Sequence, residues 1–396
     1  MEGRYAMKSA LLVAAALASL AAEAFTPKDW ARFIPEDGLR ATVLSNGVEL
    51  VLAGRGRRKG GDGYVAAQVP LYARGRLDFD VKVTPPTRNR AMAQFMTLYG
   101  IRMFWHDSCR DWRVIIPGPN SERESGFADE PVRHYRIGKF SPDAWHHCRV
   151  VFDAPADRVE FFLDDMSDPA YIAGGVSVWD QAEYEGGVLK IGGLGLSRDS
   201  VGTFANIELV EEGESAGGVE RTGTLVFDGL ASDYYRAADV LAAEKPRHYV
   251  LDFTRASYWP KNNYKYGRLP GRETLAAAKR IVLVDAPLQF DDVLPPFVVA
   301  DIAAAVEDGA ELVVLDGPFA LDRGGYGESK LAKIMPEGAL AGDPFAAAPA
   351  RPRILERRVG KGVVKVFRGL AFGDDTADFR RRFAPWAEKL FGIGKE

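Results

Sequence analysis

Residues 145–165 read WHHCRVVFDAPADRVEFFLDD, and this stretch decides the fold of the first half of the chain. Its first run alternates Cys148, Val150 and Phe152 with other residues, and its second run alternates in the same way around Phe161. Successive side chains of a strand point to opposite faces, so each run places one apolar row on a core. The segment Asp-Ala-Pro-Ala-Asp between the runs has the composition of a turn. The stretch therefore predicts a β-hairpin with one buried face.

Short runs of the same kind continue on both sides of this hairpin, between residues 47 and 210. Residues 77–83, LDFDVKV, alternate in the same way, and clusters of Gly, Pro and Asn separate the runs. Many short strands with turn signals between them are typical of an antiparallel sandwich. The hairpin, together with residues 186–192 and 204–209, resembles laminin-G-like and concanavalin A-like domains. That resemblance implies a jelly-roll β-sandwich and names no ligand.

The composition and the amino terminus bound the class of protein. The chain has 396 residues, which is long for one core and sufficient for two domains. Its 51 basic and 55 acidic residues give a net charge of −4, which does not favour a nucleic-acid partner. Residues 1–24 have a basic start, a short apolar core and an Ala-Glu-Ala end, as in a signal peptide. No other apolar run reaches the roughly 20 residues that a membrane-spanning helix needs. We therefore expect a secreted or periplasmic protein without a transmembrane segment.

The pattern changes after a polar stretch at residues 213–222. We interpret this stretch as a linker between a sandwich domain at 25–212 and a second domain at 223–396. Three continuous apolar runs follow, at residues 248–253, 280–285 and 311–316. Such runs are typical of strands covered on both faces, as in a parallel sheet. A helical pattern at 297–308 completes a strand-helix-strand unit, so we predict an α/β domain with an open parallel sheet of flavodoxin type.

The second domain also carries a family resemblance. Residues 298–317, 324–329 (GGYGES), 334–336 (IMP) and 359–366 are similar to exported class I glutamine amidotransferase-like domains. That family acts through a cysteine nucleophile with a histidine base. This domain contains no cysteine, and His248 is its one histidine, so glutaminase activity is not expected. The resemblance then implies a domain that keeps the fold for packing, scaffolding or binding.

The carboxyl ends of strands in open α/β sheets form ligand crevices. Asp285 and Asp316 end two of the predicted strands, and Arg323 and Tyr326 lie in a following glycine-rich loop. We expect these four residues to gather at one edge of the sheet. Two interpretations stay open: a ligand crevice, or aspartates that bond to nearby backbone amides beside glycines that serve loop geometry.

Aromatic and cationic residues accumulate in the middle of the predicted sandwich. The candidate ligand-binding residues are Trp105, His106, Trp112, Arg113, His134, Tyr135 and Arg136. Aromatic faces stack on sugar rings while Arg and His donate to hydroxyl groups, so a glycan is the expected partner. The same residues suit a polysaccharide lyase with His134 or Tyr135 as base, or an ordinary sandwich core and rim. A glycoside hydrolase needs paired carboxylates, and we expect the pairs Asp78 with Asp80 and Glu160 with Asp164 to be solvated instead.

Three functions are compatible with these patterns. The first is a carbohydrate-binding or adhesion protein whose second domain is non-catalytic. The second is a carbohydrate-active enzyme, either a polysaccharide lyase or a glycoside hydrolase, which uses the sandwich face. The third is a structural envelope protein that forms oligomers or binds an envelope partner through its α/β domain.

No motif in the chain requires a cofactor. Asp164, Asp165 and Asp168 offer oxygen ligands, so calcium is the one metal that the pattern leaves open. Cys109 and Cys148 both lie in the first half, and an oxidising compartment permits a disulfide between them. Cys148 shares the inward row of its strand with apolar residues, so a buried thiol is the alternative.

Overall fold

The structure is a computed structural model that describes most of the chain. The described residues are 24–33, 39–52, 63–84, 92–106, 111–116, 133–139, 141–174, 178–179, 181–193, 200–213, 220–251, 269–289, 293–340 and 351–393. They form two compact units. The first comprises the described residues of Met1–Met166 and Val176–Ser215, and the second comprises those of Ser167–Gly175 and Ala216–Glu396. Apart from Ala24, the predicted signal peptide lies outside the described residues.

The chain as far as Glu211 is built mainly of strands. In chain order the described elements are β1 Trp30–Phe33, β2 Leu39–Leu44, β3 Gly47–Leu52, β4 Gly63–Gln68, β5 Arg74–Thr84, β6 Met92–Leu98, β7 Ile101–His106, β8 Asp111–Ile116, β9 Arg133–Lys139, β10 Trp145–Asp153, β11 Arg158–Leu163, β12 Tyr171–Gly174, the short helix α1 Gln181–Gly186, β13 Val188–Gly193 and β14 Ser200–Glu211. Strand β12 falls within the second unit. The strands of the first unit form two antiparallel sheets, so the predicted β-sandwich is confirmed.

Alternation of apolar residues explains how the two sheets form a common core. One sheet has the order β1-β4-β13-β6-β7-β8-β9, and the other contains β11-β10-β5-β14-β3-β2. The predicted hairpin is β10 with β11, in which Val150 pairs with Phe161. Strand β10 also pairs with β5, where Cys148 lies opposite Phe79. All four of these side chains are buried, and burial of an aliphatic or aromatic side chain of this size contributes about 1.5–3 kcal/mol.

The second unit contains a single sheet with helices. Its further elements are β15 Thr224–Asp228, α2 Ser232–Tyr235, α3 Ala237–Val240, β16 Arg247–Val250, α4 Arg272–Ala276, β17 Arg280–Val284, α5 Pro296–Glu307, β18 Glu311–Leu315, β19 Arg353–Val359, β20 Gly362–Arg368 and α6 Thr376–Phe391. Single 3₁₀ turns lie at Ala242–Glu244, Leu321–Arg323, Tyr326–Glu328 and Lys330–Lys333. The strand order is β16-β15-β17-β18-β20-β19.

This sheet is mixed, so the prediction of an open parallel sheet is confirmed only in part. Strands β16, β15, β17, β18 and β20 run parallel, whereas β19 is antiparallel to β20. The reason is the tight turn at Gly360, whose φ of +55° suits glycine, because so short a connection can only return the chain antiparallel. The parallel part keeps its carboxyl ends at one edge, where Asp285 and Asp316 follow β17 and β18.

Both faces of the mixed sheet are covered by apolar side chains. On one face Ile302 and Val306 of α5 pack in a cluster that includes Leu283 of β17. On the other face Phe383 of α6 packs in a cluster that includes Val282 of the same strand. This two-sided burial explains why the strands of this unit lack the alternating pattern of the sandwich. Within the described ranges, no helix has both the length and the apolar character needed to cross a membrane.

Candidate functional site

The outer side of strands β5 and β10 carries a row of charged and aromatic side chains. The register pairs Trp145 with Lys82, His147 with Asp80, and Arg149 with Asp78. Directly paired residues of antiparallel strands lie on the same face, so these six side chains share one side of the sheet. The intervening residues Leu77, Phe79, Cys148 and Val150 fill the core, which leaves this side of the two strands for polar groups.

Hydrogen bonds join this row across three strands. Asp80 accepts from Nδ1 of His147 at 2.7 Å and from Nδ2 of Asn206, in β14, at 2.6 Å. Asp78 accepts from Nε of Arg149 at 2.6 Å. The carboxylates therefore hold donors from neighbouring strands in defined orientations, because charge-assisted hydrogen bonds are the stronger ones in proteins.

Trp145 stands at one end of this row and is 50% exposed. The ammonium group of Lys82 lies 5.2 Å from the centre of its ring, within the range of a cation–π contact. An exposed indole beside fixed donors and acceptors can pack on an apolar ligand face while the polar groups bond to hydroxyls. We call the surface formed by Asp78, Asp80, Lys82, Trp145, His147, Arg149 and Asn206 the Trp145 face.

The carboxylates of the sandwich differ from the expectation that they are simply solvated. Asp78 is largely buried beneath its arginine partner. Glu160 is also buried, and its Oε1 lies 2.6 Å from Nη2 of Arg158. Asp164 alone of these residues is well exposed at its side chain. Alternation along the strands correctly assigns such residues to the polar side and places Arg158 beside Glu160, but it does not reveal Arg149, the partner of Asp78 from another strand.

Two of the predicted sugar-binding aromatics lie in the core instead. Trp105 and Trp112 pair directly across β7 and β8, and both are almost completely buried. They share the inner side of their sheet with Met103 and Val114, which are buried as well. Large aromatic side chains fill the space between packed sheets, so these tryptophans do not line a sugar platform.

Arg113, a third predicted residue, alternates with Trp112 and is also buried. Its Nε donates to Oδ1 of Asp111 at 2.9 Å, so the guanidinium is held by a neighbour on its own strand. The side chains of the remaining four candidates lie outside the described residues: His106, His134, Tyr135 and Arg136. Their backbones are described, and Arg136 pairs with Arg113 in the register of β9 with β8. A shared site for these four side chains stays a prediction.

The three aspartates proposed for calcium have other partners. Asp164 accepts from Nδ1 of His146 at 2.9 Å and from the amide of His147 at 3.1 Å. Asp168, in the second unit, accepts from Arg247 at 2.8 Å and from the Tyr249 hydroxyl at 3.2 Å. In the part of the chain that the structure describes, no three His, Cys, Asp or Glu side chains form a group that could hold a metal. This finding includes the three predicted ligands Asp164, Asp165 and Asp168.

Cys148 is a free thiol at the centre of the sandwich core. Burial raises the pKa of its thiol well above the ordinary value, and the charges of Asp164 and Asp80 act in the same direction. A protonated, enclosed thiol is unreactive. Cys109, the other half of the predicted disulfide, lies outside the described residues.

The predicted crevice residues of the second unit do come together. Burial raises the pKa of Asp285 to about 7; the Phe319 amide opposes this shift, and the charge of Asp316 adds to it. Burial also raises the pKa of Asp316 to about 6, against the nearby charges of Arg368 and, more weakly, Arg323. The pKa of Tyr326 is raised by burial and then by the charges of both aspartates. The four groups named by the sequence thus interact electrostatically at one edge of the sheet.

A groove of about 890 Å³ on the first unit is a rival binding location. Its lining residues are Ala24, Phe25, Thr26, Lys28, Asp29, Ala31, Ala66, Ala67, Gln68 and Tyr72. Small alanines form much of this lining, and Tyr72 is its one side chain with both an aromatic ring and a hydroxyl. The groove lacks the cross-strand hydrogen-bonded row that distinguishes the Trp145 face.

Sequence reasoning did not select the Trp145 face, although one signal for it was present. Alternation places Trp145, His147 and Arg149 opposite the apolar row of the same strand. A tryptophan on the polar side of an amphipathic strand is the unusual feature, because large apolar side chains are usually drawn into the core. The partners Asp80 and Asn206 come from other strands, which the local pattern of β10 cannot identify.

Comparisons with known proteins add likeness of fold at low identity. No family model matches the sequence, and no curated protein matches it. A sialidase structure aligns at 10% identity and a TM-score of 0.34, over 61% of this chain and 23% of the sialidase. The endo-β-1,4-glucuronan lyase of Trichoderma reesei aligns at 10% identity and 0.30, over 47% of this chain and 96% of the lyase.

A third structure is the exoplasmic/lumenal domain of VIP36 in a form bound to Ca²⁺ and Man3GlcNAc. It aligns at 9% identity and a TM-score of 0.33, over 47% of this chain and 85% of that domain. All three TM-scores lie below 0.5, so the assignment of a sandwich rests on the strand pairing of this chain. The same values carry no argument about its ligand.

Proposed function

We propose that the first unit binds a glycan on the Trp145 face and that the protein acts in carbohydrate binding or adhesion. The observation that carries this proposal is the half-exposed Trp145 beside a row of hydrogen-bonded side chains. A tryptophan provides a large, rigid contact area at little cost in conformational entropy. The adjacent carboxylates, imidazole and carboxamide supply both acceptors and donors within reach of a ring that lies on the indole.

The charges of this face favour a glycan over a strongly ionic ligand. Asp78 and Asp80 alternate with Lys82, His147 and Arg149, so acceptors and donors are interspersed. Sugar hydroxyls both donate and accept, and they suit such a mixed surface. A nucleic acid would require a basic surface, and the net charge of the whole chain is −4.

The test begins with a glycan array on the full chain, followed by calorimetric titration of the best glycan. Trp145→Ala is expected to weaken binding by about tenfold, which corresponds to about 1.4 kcal/mol. Leu71→Ala is the matched control, because Leu71 is an equally exposed apolar side chain of the same unit. Tyr72→Ala tests the rival groove. Loss of binding in Tyr72→Ala, with full binding in Trp145→Ala, would place the glycan in the groove and refute this proposal.

A second candidate function is carbohydrate cleavage on the same face. His147 is the specific observation, because a half-exposed imidazole held by a carboxylate is the arrangement of a general base. A lyase or a hydrolase would release new unsaturated or reducing ends from the bound glycan. His147→Ala would then abolish product formation while Trp145→Ala weakens binding. Binding without any new ends assigns the adhesion function alone.

For the second unit we propose a non-catalytic, amidotransferase-like α/β domain that serves as a scaffold or interaction surface in an exported protein. The sequence segments at 298–317 and 324–329 support this lineage, and the absence of cysteine from 213–396 argues against glutaminase chemistry. Ammonia release from glutamine by the purified chain would contradict it. A structural envelope function is the remaining alternative, and it predicts defined oligomers in sedimentation experiments together with no glycan binding.

A further inference from the structure

A row of side chains crosses the outer side of one sheet of the sandwich. Trp145 of β10 pairs with Lys82 of β5, and Lys82 pairs with Thr203 of β14. Thr203 also pairs with Glu49 of β3, which in turn pairs with Thr42 of β2. Directly paired residues of antiparallel strands lie on the same side of a sheet, so these side chains share one side. We call them the cross-strand row.

The cross-strand row can be reached from solvent along its whole length. The residues next to it in sequence, Val48, Val81 and Phe204, are almost completely buried, so the row points away from the core. Thr42 and Trp145, at its two ends, are exposed, and the side chains between them are partly exposed. A ligand therefore needs no opening in the protein to contact the row.

The cross-strand row is longer than a single sugar ring. Its register runs through β10, β5, β14, β3 and β2, which are successive neighbours in the sheet. Adjacent strands lie about 4.8 Å apart, so the row spans roughly 19 Å from Trp145 to Thr42. A monosaccharide on the indole would leave Glu49 and Thr42 without a contact. The full row suits a chain of several linked rings that lies across the strands.

The chemistry of the row favours an uncharged chain. Lys82 donates hydrogen bonds and Glu49 accepts them, while the hydroxyls of the two threonines do both. The hydroxyls of successive sugar rings can therefore find donors and acceptors at each strand. Lys82 and Glu49 carry opposite charges and lie on either side of Thr203. Their charges balance within the row, so it does not attract a polyanion or a polycation.

We propose that the cross-strand row binds an uncharged linear polysaccharide along its length, in an extended conformation. One ring packs on Trp145, and the following rings lie over Lys82 and Thr203 towards Glu49. An open sheet face favours an extended chain, because a coiled chain would leave the surface after a short contact. β-1,4-linked glucans are extended, since the bonds that join each ring to its neighbours are equatorial. The proposal rests on the glycan binding proposed for the Trp145 face and adds the class of glycan.

The test is a calorimetric titration of the full chain with cellobiose, cellohexaose and maltohexaose. Cellohexaose is expected to bind more than about tenfold more tightly than cellobiose, because only the longer chain reaches Glu49 and Thr42. Such a gain exceeds the statistical advantage that a long chain has from offering many pairs of rings to one short site. Maltohexaose has the same number of rings in a coiled chain, and it is expected to bind about tenfold more weakly than cellohexaose.

A substitution far from Trp145 tests the extent of the row. Glu49→Ala is expected to weaken cellohexaose binding about fivefold and to leave cellobiose binding unchanged, because the disaccharide stays on Trp145. Surface substitutions of this kind change stability little, so the fold is retained. Glu211→Ala is the matched control, because it removes an exposed carboxylate from the end of β14, outside the row. Its affinity for both sugars is expected to equal that of the wild type.

Equal effects of Glu49→Ala on the two sugars would overturn the proposal. Equal affinities for cellobiose and cellohexaose, or for cellohexaose and maltohexaose, would overturn it too, as would an absence of cellohexaose binding. The glycan binding proposed for the Trp145 face fails separately, when Trp145→Ala leaves the best glycan of the array fully bound. A branched or terminal sugar that is lost in Trp145→Ala would uphold the Trp145 face and reject the extended chain.

Discussion

Nδ1 of His147 lies 2.7 Å from Oδ1 of Asp80, and this contact joins two residues that are 67 positions apart in the chain. The other oxygen of Asp80 accepts from Asn206, 126 positions away. The Asp80 carboxylate, in β5, therefore links side chains of β10 and β14 through hydrogen bonds. The imidazole owes its orientation to this contact, and so does the polar half of the Trp145 face.

Replacement of Asp80 is expected to affect binding more than stability. Asp80→Ala releases His147 and Asn206, so glycan affinity should fall about tenfold in calorimetric titration. The free energy of unfolding should change by less than about 1 kcal/mol, because partly exposed ion pairs contribute little. Asp29→Ala alters a carboxylate in the groove and serves as control. Loss of affinity in Asp29→Ala alone would argue for the groove.

The two kinds of tryptophan in the sandwich should respond differently to truncation. Trp105→Ala removes a fully buried side chain and is expected to cost about 3–5 kcal/mol in urea unfolding of the first unit. Trp145→Ala removes a half-exposed side chain and should cost about 0.5 kcal/mol. Equal destabilisation by the two substitutions would contradict the assignment of Trp105 to the core and Trp145 to the surface.

Gly317 is required for space beside Asp285. A Cβ at position 317 would lie 2.1 Å from Cγ and 2.5 Å from Cβ of Asp285. Gly317→Ala is therefore expected to destabilise the second unit by about 1–3 kcal/mol in calorimetry, because the packed carboxyl must move. Gly327→Ala is the matched control, since a Cβ there meets nothing within 4 Å. Similar melting curves for the two variants would show that the Asp285 carboxyl can move aside without a measurable loss of stability.

The raised pKa of Asp285 predicts a specific dependence of stability on pH. Its value is about 7 in the folded protein against an ordinary value of 3.8, so the folded state holds a proton that the unfolded chain releases. Below about pH 4 both states are protonated and the group has no effect on stability. As the pH rises from about 4 to about 7, the unfolded chain ionises this group while the folded protein keeps it protonated, so the free energy of unfolding falls by up to about 4 kcal/mol and levels off above pH 7.

Asp285→Asn removes this titration. Relative to the wild type, the variant is expected to become more stable as the pH rises from about 4 to about 8. The measurement is the free energy of unfolding of both proteins across this range, and only their difference is compared, because other groups titrate in both. Parallel curves would mean that Asp285 ionises in the folded protein as it does in the unfolded chain.

Local patterns predicted the type of most elements, and their limits are visible at particular residues. Residues 77–83 and 145–165 identified β5 and the β10–β11 hairpin, and the apolar runs identified β17 and β18. The strand Thr224–Asp228 was missed, because its three apolar residues in an isolated run do not distinguish a strand from a buried helical segment. The antiparallel return of β19 was missed too, because it depends on the turn at Gly360.

The candidate sites were predicted less evenly. The charges of Asp316 and Arg323 act on Asp285, and the charges of both aspartates act on Tyr326, whereas a ligand crevice at this edge stays a prediction. Trp105 and Trp112 do not line a surface, and alternation carries a sign of this. Ile101 and Met103 share the row of Trp105 in β7, whereas Arg102 and His106 belong to the other row, so the period of two places Trp105 on the apolar side.

The sequence by itself determined the strand period of the sandwich, the change to continuous apolar strands after residue 213, and the absence of cysteine from residues 213–396. Tertiary structure alone decided which strands are neighbours, and therefore that Asp80 meets His147 and Asn206 and that Tyr326 comes near Asp285. The physical reason is the range of the forces involved. The direction of a side chain along a strand follows from the local backbone, whereas the order of strands in a sheet follows from the packing of the whole core.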